Sequence, residues 1–164
     1  QFLEVGQAGE IIVRGFNIML GYFENPVATA ESIDTDGWLH TGDIGYLDND
    51  GNLSITDRLK DVFITGGFNC YPAEIENQLS LHPSIASCAV IGIPDERLGE
   101  VAMAWIVLKR NCALDEQQLI SWSRERIANY KVPRQVKIID SLPLNASGKV
   151  LKMQLRSLAA DQKH

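Results

Sequence analysis

The sequence predicts an α+β protein in which a β-rich segment precedes a mixed set of strands and helices built around a short central sheet. The chain has 164 residues, enough for one ordinary domain or two small ones. Its first 57 residues contain short apolar runs separated by Gly- and Asp-containing turns, a pattern typical of strands. From residue 62 onward, apolar runs alternate with segments that carry helical periodicity and helix-start signals.

In the β-rich segment, apolar and alternating runs predict strands over residues 9–15 and 53–56. Residues 38–47 are predicted to be extended, with a loop interrupted by Gly. Residues 27–33 predict a brief helix that follows the chain break at Pro26.

The remainder predicts the order β-β-α-β-β-α-β-α, with helices flanking the sheet. Pro72 is suited to a first helical position, and Asp115 followed by Gln118 resembles a capping box that opens a helix extending to about Asn129. Ranges are predicted for four of these five strands, 62–65, 87–93, 101–108 and 136–139, and the last helix is marked by Leu151, Leu155 and Leu158.

Composition excludes several protein classes. Apolar residues make up 45% of the chain and charged residues 22%, which is too apolar for a disordered chain. No apolar run approaches the length of a membrane span, and the start at Gln1 lacks the features of a signal peptide. A chain that opens in this way is expected to be a piece of a longer protein. Three cysteines without CxxC spacing predict reduced thiols in the cytoplasm and no zinc site.

Charge is distributed unevenly along the chain. The total is −6, yet residues 1–130 carry eight Lys/Arg against 19 Asp/Glu, and residues 131–164 carry seven Lys/Arg against two Asp. An acidic body repels the nucleic-acid backbone, so no nucleic-acid partner is expected. The basic final stretch is either a solvated surface or an attractor for a small phosphorylated ligand.

Lys149 lies on a glycine-containing loop within this basic stretch. The loop is not a Walker A motif, because Pro143 stands where Gly is required and Val150 replaces the Ser or Thr. Taken alone, Lys149 is interpreted as a solvent-facing loop lysine.

Three further features each have two readings when taken alone. Asp43, in Thr41-Gly42-Asp43, offers a carboxylate suited to the two hydroxyls of a ribose, or it makes an Asx turn. Arg58 and Lys60 form a surface ion-pair cluster or part of a site. The Gly66-Gly67 pair forms a tight hairpin turn or permits close approach of a ligand.

The order of these motifs along the chain strongly resembles the adenylate-forming superfamily, in its fatty acyl/aryl acyl-CoA synthetase branch. The resemblance covers nearly the whole chain. It is carried by Thr41-Gly42-Asp43, Asp57-Arg58-Leu59-Lys60-Asp61, Gly66-Gly67-Phe68-Asn69-Cys70-Tyr71-Pro72-Ala73-Glu74-Ile75-Glu76, Tyr130-Lys131-Val132-Pro133 and Pro143-Leu144-Asn145-Ala146-Ser147-Gly148-Lys149.

The resemblance implies a two-step ligase that uses ATP, Mg²⁺ and CoA. ATP converts a carboxylic acid to acyl-AMP with release of pyrophosphate, and CoA then displaces AMP to give the thioester. Medium- or long-chain fatty acids lead as substrates, with aryl or steroid-side-chain acids behind them.

The resemblance also implies roles for particular residues. Asp43 holds the ATP ribose hydroxyls, Arg58 contacts ribose and phosphate, and Lys149 bridges the substrate carboxylate and the α-phosphate. Lys60 marks the hinge about which the small domain swings between the two steps.

On the opposite face of that domain, the resemblance implies a CoA site. Gly66 and Gly67 leave room for the pantetheine arm, Tyr130 stacks on the CoA adenine, and Arg134 pairs with its phosphates.

The implied domain organisation is the end of an N-terminal adenylation domain over 1–57, a hinge over 58–61, and a mobile C-terminal α+β domain over 62–164. The phosphate-binding loop, the Mg²⁺ site and most of the acyl pocket are expected in an N-terminal domain upstream, so the fragment alone is predicted to be inactive. The alternatives are an adenylation domain that loads a carrier protein and a non-catalytic ligand-binding or interaction module.

Overall fold

A computed structural model describes residues 2–161. The chain divides into two compact units, with the boundary between Lys60 and Asp61. This boundary falls within the range 58–61 for which a hinge is predicted, and hinge motion there stays a prediction.

The first unit is a three-stranded antiparallel sheet in the order β1 (Gly9–Val13), β2 (Leu39–Leu47), β3 (Leu53–Arg58). Helix α1 (Pro26–Ser32) lies between β1 and β2 in the chain, and the side chain of Asn25 caps it by accepting from the backbone N of Ala28 at 3.0 Å. The predicted loop within residues 38–47 is wrong, since β2 is one strand that accommodates Gly42 in a bulge.

The first unit buries few side chains completely. Ile44 is its one fully buried apolar side chain among the described residues, whereas Phe16, Leu20 and Phe23 are almost wholly exposed. A sheet of this size needs apolar cover for independent stability. The unit therefore has apolar surface that its own residues leave open.

The second unit begins with a short 3-10 helix that straddles the boundary, Leu59–Asp61, and has the predicted order β-β-α-β-β-α-β-α. This confirms the predicted α+β class. Its elements are β4 (Phe63–Thr65), β5 (Phe68–Cys70), α2 (Pro72–Leu79), β6 (Ile85–Asp95), β7 (Gly99–Leu108), α3 (Glu116–Arg124), β8 (Gln135–Ile138) and α4 (Lys152–Asp161).

Strand β7 organises the sheet of the second unit. It pairs antiparallel with β6 along its length, antiparallel with β4 at Gly99, and parallel with β8 over Met103–Ile106. Strand β5 extends the sheet beyond β4. Helices cover both faces of this sheet, so its central strand is buried on both sides, which explains its uninterrupted apolar run.

The two faces of β7 divide the core into two clusters. Residues 102, 104 and 106 pack with Ile75 and Leu79 of α2 and Leu119 of α3. Residues 101, 103 and 105 pack with Leu155 of α4. The alternation follows from the two-residue period of a strand.

Helix α3 opens as predicted but ends earlier. Asp115 Oδ1 accepts from Gln118 N at 2.8 Å and Gln118 Oε1 accepts from Asp115 N at 3.0 Å, which is a complete capping box. The helix ends at Arg124 rather than near Asn129. Beyond it the chain turns to bury Val132 and enter β8, so tertiary packing overrides the local helical pattern.

Among residues 2–161, no helix combines the length and apolar character needed to cross a membrane.

Candidate functional site

Asp43 lies in a bulge of β2. Between the pairs Glu10–Ile44 and Ile12–His40, a single residue of β1 opposes three residues of β2. Gly42, at the centre of the bulge, has φ +69°, a conformation that glycine adopts without steric cost. Bulges redirect side chains out of the regular strand alternation, and here the bulge sets the direction of Asp43.

Arg58 lies directly opposite Asp43 in the β2–β3 register. Arg58 Nε is 3.0 Å from Asp43 Oδ1, and the side chains are 48% and 26% exposed, respectively. The structure therefore brings the two predicted nucleotide-binding residues together. A carboxylate has about four acceptor positions, so pairing with Arg58 leaves Asp43 able to accept from two hydroxyls.

Lys149 lies on a loop whose backbone is fixed by Asn145. Asn145 Oδ1 accepts from the backbone N of Ser147 at 3.0 Å and of Lys149 at 2.8 Å, and Asn145 N donates to Lys149 O at 2.9 Å. Gly148 completes the turn with φ +80°. The Lys149 side chain is exposed, and its ammonium pairs with no residue in the range 2–161. A fixed backbone thus presents a free cation.

Gly66 and Gly67 form the two-residue turn of the β4–β5 hairpin, with Thr65 paired to Phe68. Their φ values of +58° and +88° are typical of a type I′ turn. A Cβ placed on Gly67 would meet no atom within 4 Å. The hairpin reading is therefore confirmed, and the turn also leaves open space at its tip.

The structure brings the predicted CoA residue Tyr130 to this hairpin through an aromatic stack. The rings of Phe68 and Tyr130 have centroids 4.6 Å apart and an interplanar angle of 20°. Phe68 was missed by the sequence reasoning, although its place directly after the glycine pair was a usable signal.

Next to this stack, Lys131 Nζ donates to both carboxylate oxygens of Glu74, at 2.6 and 2.7 Å. Partial burial by itself lowers the pKa of Lys131, but hydrogen bonding and charge from Glu74, with a smaller contribution from Tyr130, raise it above its usual value. This pair links α2 to the segment that carries Tyr130.

Arg134 has its own contacts within the second unit. Its guanidinium donates to Asn129 O at 3.4 Å and Asn129 Oδ1 at 3.5 Å, and its backbone N donates to Ala102 O at 2.8 Å. Backbone hydrogen bonds from Leu98 and Arg97 lower the pKa of Asp95, and the charge of Arg134 makes a smaller contribution in the same direction.

Lys60 is exposed and pairs with no other residue in the described part of the chain. The next residue, Asp61, is held inside the second unit by Arg156, with Arg156 Nη2 3.1 Å from Asp61 Oδ1. The chain is therefore anchored immediately after Lys60.

Within residues 2–161, no cluster of three or more His, Cys, Asp or Glu side chains could hold a metal ion.

Known proteins are similar to this chain in sequence and in fold. Residues 74–149 match the AMP-binding enzyme C-terminal domain. One relative, from Rhodococcus jostii (strain RHA1), is 56% identical over 94% of this chain, which covers 30% of the relative. It is a CoA ligase named for a propanoyl group that carries a 7a-methyl-1,5-dioxo-octahydro-1H-inden-4-yl ring system.

Two solved structures share the fold along nearly the whole chain. ATP-bound MatB from Rhodopseudomonas palustris has a TM-score of 0.92 and 38% identity, covering 99% of this chain and 32% of its own. The amide bond synthetase McbA from Marinactinospora thermotolerans has a TM-score of 0.88 and 36% identity, covering 97% of this chain and 32% of its own. The chain thus spans about a third of the length of each. Residues 74–149 carry the C-terminal domain of AMP-binding enzymes, and nearly the whole chain is similar to about a third of CoA ligases and related synthetases.

Proposed function

We propose that this chain is the mobile C-terminal part of an enzyme that joins a carboxylic acid to CoA at the expense of ATP. In the first step a carboxylate oxygen attacks the α-phosphorus, and pyrophosphate leaves. In the second step the CoA thiol loses its proton to water and its sulfur attacks the acyl carbon, so that AMP leaves with its bonding electrons. One observation carries the proposal: a free Lys149 ammonium on a fixed loop, in a chain 56% identical to a CoA ligase.

Lys149 supplies positive charge in the first step. Negative charge accumulates around the α-phosphorus as the carboxylate attacks, and a positioned ammonium stabilises that charge. An ammonium already paired with a carboxylate would have to break that pair first. The free Lys149 side chain meets this requirement, and the Asn145 contacts limit the loss of backbone freedom on binding.

Asp43 and Arg58 bind the nucleotide in this proposal. The Asp43 carboxylate accepts from the ribose hydroxyls, while Arg58 contacts ribose and phosphate. Their mutual ion pair at 3.0 Å holds each side chain in place before the nucleotide arrives, which reduces the ordering required on binding.

The CoA thiol is proposed to approach along the Gly66–Gly67 turn. The open space at Gly67 supports a narrow pantetheine channel. Tyr130 stacks on the adenine and Arg134 pairs with its phosphates. Phe68 already occupies one position against the Tyr130 ring, so adenine binds on the ring surface that Phe68 leaves open or replaces Phe68.

Lys60 is proposed as the pivot between the two steps. The Asp61–Arg156 ion pair fixes the chain on one side, which concentrates backbone rotation at Lys60. Substitution Lys60→Pro locks φ and is expected to lower the thioester half-reaction by about 100-fold, while adenylation changes less than threefold. Lys60→Ala, which leaves the backbone free, is the control. Equal loss of both half-reactions in Lys60→Pro would contradict the pivot.

The remaining assignments extend the same proposal. A larger N-terminal domain supplies the Mg²⁺ site and the acyl pocket, and the exposed Phe16, Leu20 and Phe23 are apolar surface for it to cover. A cytoplasmic location is supported by three free cysteines. Fatty acids remain the first substrates to test, and the ring-bearing acid named for the Rhodococcus jostii relative joins the panel.

The test is a pair of assays on the full-length protein. ATP–pyrophosphate exchange with a panel of fatty, aryl and ring-bearing acids reports adenylation, and thioester formation from supplied acyl-AMP reports transfer. We expect both activities from the full-length protein and no exchange from the 164-residue chain alone. Absence of exchange with every acid in the panel would refute the proposed function.

Acyl acceptors other than CoA should also be tested, because one structural neighbour is an amide bond synthetase. CoA, simple amines and a carrier protein should be compared as acceptors of the same acyl-AMP. We expect CoA to react fastest, since the relative with 56% identity is a CoA ligase. A faster reaction with an amine or carrier protein would replace CoA and leave the adenylation step standing.

A further inference from the structure

The bulge that carries Asp43 is spanned by a carboxylate from the neighbouring strand. Three residues of β2 face one residue of β1, so the regular ladder cannot supply a partner for every backbone group in the bulge. Gly42 N donates instead to Glu10 Oε1 at 3.3 Å. Unpartnered backbone N–H groups are costly away from water, and Glu10 satisfies this one.

The hydroxyl of Thr41 completes the same arrangement from within the bulge. Thr41 Oγ1 donates to Ile11 O at 2.7 Å and accepts from Asp43 N at 3.1 Å. The backbone N–H groups of Gly42 and Asp43 are therefore both bound to side-chain oxygens.

His40 fixes the direction of the Glu10 carboxylate. Glu10 Oε2 is 2.9 Å from His40 Nδ1, while Asp34 Oδ2 is 3.8 Å from His40 Nε2. Glu10 is contributed by β1, His40 by β2 and Asp34 by the turn after α1. The Glu10 side chain is only 25% exposed, so its two oxygens serve two different residues of β2 in a partly enclosed position.

We propose that Glu10 is a positioning residue for Asp43. Its carboxylate holds the Gly42 amide, and this contact sets the direction in which Asp43 leaves the bulge and meets the ribose hydroxyls. The proposal rests on the proposed function, in which Asp43 binds the nucleotide. Arg58 holds Asp43 from β3, and Glu10 holds the preceding residue from β1, so the site is fixed from both neighbouring strands.

The functional test uses ATP–pyrophosphate exchange by the full-length protein. Glu10→Ala removes the acceptor for the Gly42 amide, and we expect the KM for ATP to rise about tenfold with kcat changed less than threefold, since small misplacement of a binding group costs up to about 100-fold. Glu10→Gln keeps an oxygen acceptor and should restore the KM to within about threefold of wild type. Glu4→Ala, which removes an exposed carboxylate from the same unit, is the matched control.

Two results would overturn the proposal. One is a KM for ATP within twofold of wild type in Glu10→Ala. The other is equal impairment in Glu10→Gln and Glu10→Ala, which would assign the effect to the charge beside His40 rather than to the Gly42 amide.

A second measurement separates this proposal from the function itself. In the full-length protein labelled with ¹⁵N-glycine, hydrogen exchange at the Gly42 amide should accelerate at least about tenfold in Glu10→Ala and stay near wild type in Glu10→Gln. The pKa of His40, raised mainly by its hydrogen bond to Glu10, should fall in both variants. An unchanged Gly42 exchange rate in Glu10→Ala overturns the proposal. If exchange responds as expected but the full-length protein activates no acid, the proposed function fails and the role of Glu10 in ordering Asp43 stands.

Discussion

The bulge that carries Asp43 and the loop that carries Lys149 both have a fixed backbone, but only one of the two functional side chains is paired. Both backbones are held by short polar side chains, Thr41 in the bulge and Asn145 in the loop. The functional side chains differ, because Asp43 is paired with Arg58 whereas Lys149 has no partner within residues 2–161.

The difference follows from what each group is proposed to bind. Asp43 meets neutral hydroxyls, so it keeps an ionic partner and still has acceptor positions to spare. Lys149 meets two anionic groups, a carboxylate and a phosphate, and a resident anion would compete with both. Asp43, which is already paired, and Lys149, which is unpaired, are therefore both preorganised, and each state suits the charge of the proposed ligand.

The largest effect is expected when the unpaired ammonium of Lys149 is removed. Lys149→Ala should lower ATP–pyrophosphate exchange of the full-length protein by about 100- to 1,000-fold, the loss typical of one positioned charge-stabilising group. Thioester formation from supplied acyl-AMP should stay within about threefold, because that step is proposed to proceed without Lys149. Lys137→Ala, an exposed lysine of β8, is the control. Equal loss of both half-reactions would contradict the proposal that Lys149 acts only in the first step.

Asp43→Asn tests the role of the carboxylate that is paired with Arg58, and the substitution should affect both half-reactions. In the proposed mechanism the ribose stays bound through both steps, so ATP in the first step and acyl-AMP in the second should each bind about 10- to 100-fold more weakly. KM values for ATP and acyl-AMP, measured in parallel, check this. A defect confined to adenylation would show that Asp43, like Lys149, acts only in the first step.

Asn145→Ala tests whether the Lys149 loop depends on its fixed backbone. The substitution removes the oxygen that accepts from Ser147 N and Lys149 N, so adenylation kcat should fall about tenfold with an unchanged KM for ATP. Asn145→Asp retains the oxygen acceptor and should recover most of the rate. A full rate in Asn145→Ala would mean that Lys149 reaches its position without help from the loop.

The smallest effect concerns pH, to which the two regions should respond differently. Glu10 raises the pKa of His40 above 6.5, so the pair stabilises the folded chain fully below that ordinary pKa. This contribution is lost as pH rises through the raised folded-state pKa. Urea denaturation of wild type and His40→Gln should therefore give midpoints that differ below pH 6.5 and converge as the pH rises above it. Asn145 does not titrate, and Asn145→Ala should show a midpoint difference that is constant with pH.

Much of the fold could be predicted because its signals are local. The capping box at Asp115, the helix start at Pro72 and the glycine-pair turn each depend on neighbours in sequence. The end of α3 could not be predicted, since the pattern continues as helix while the chain leaves it to bury Val132. The bulge in β2 looks like a loop in the sequence, because the residues that pair with it lie on another strand.

The sequence by itself determined the family resemblance, the order of elements and the residues proposed to carry the chemistry. Asp43, Arg58 and Lys149 stand in motifs whose residue types and spacing are visible without coordinates. Only the tertiary structure decided which side chains hold them. Glu10 reaches Gly42 across 32 residues, Glu74 reaches Lys131 across 57, and Asp61 reaches Arg156 across 95. Such contacts depend on strand register and on which helix covers which face, and no local pattern of residues specifies either.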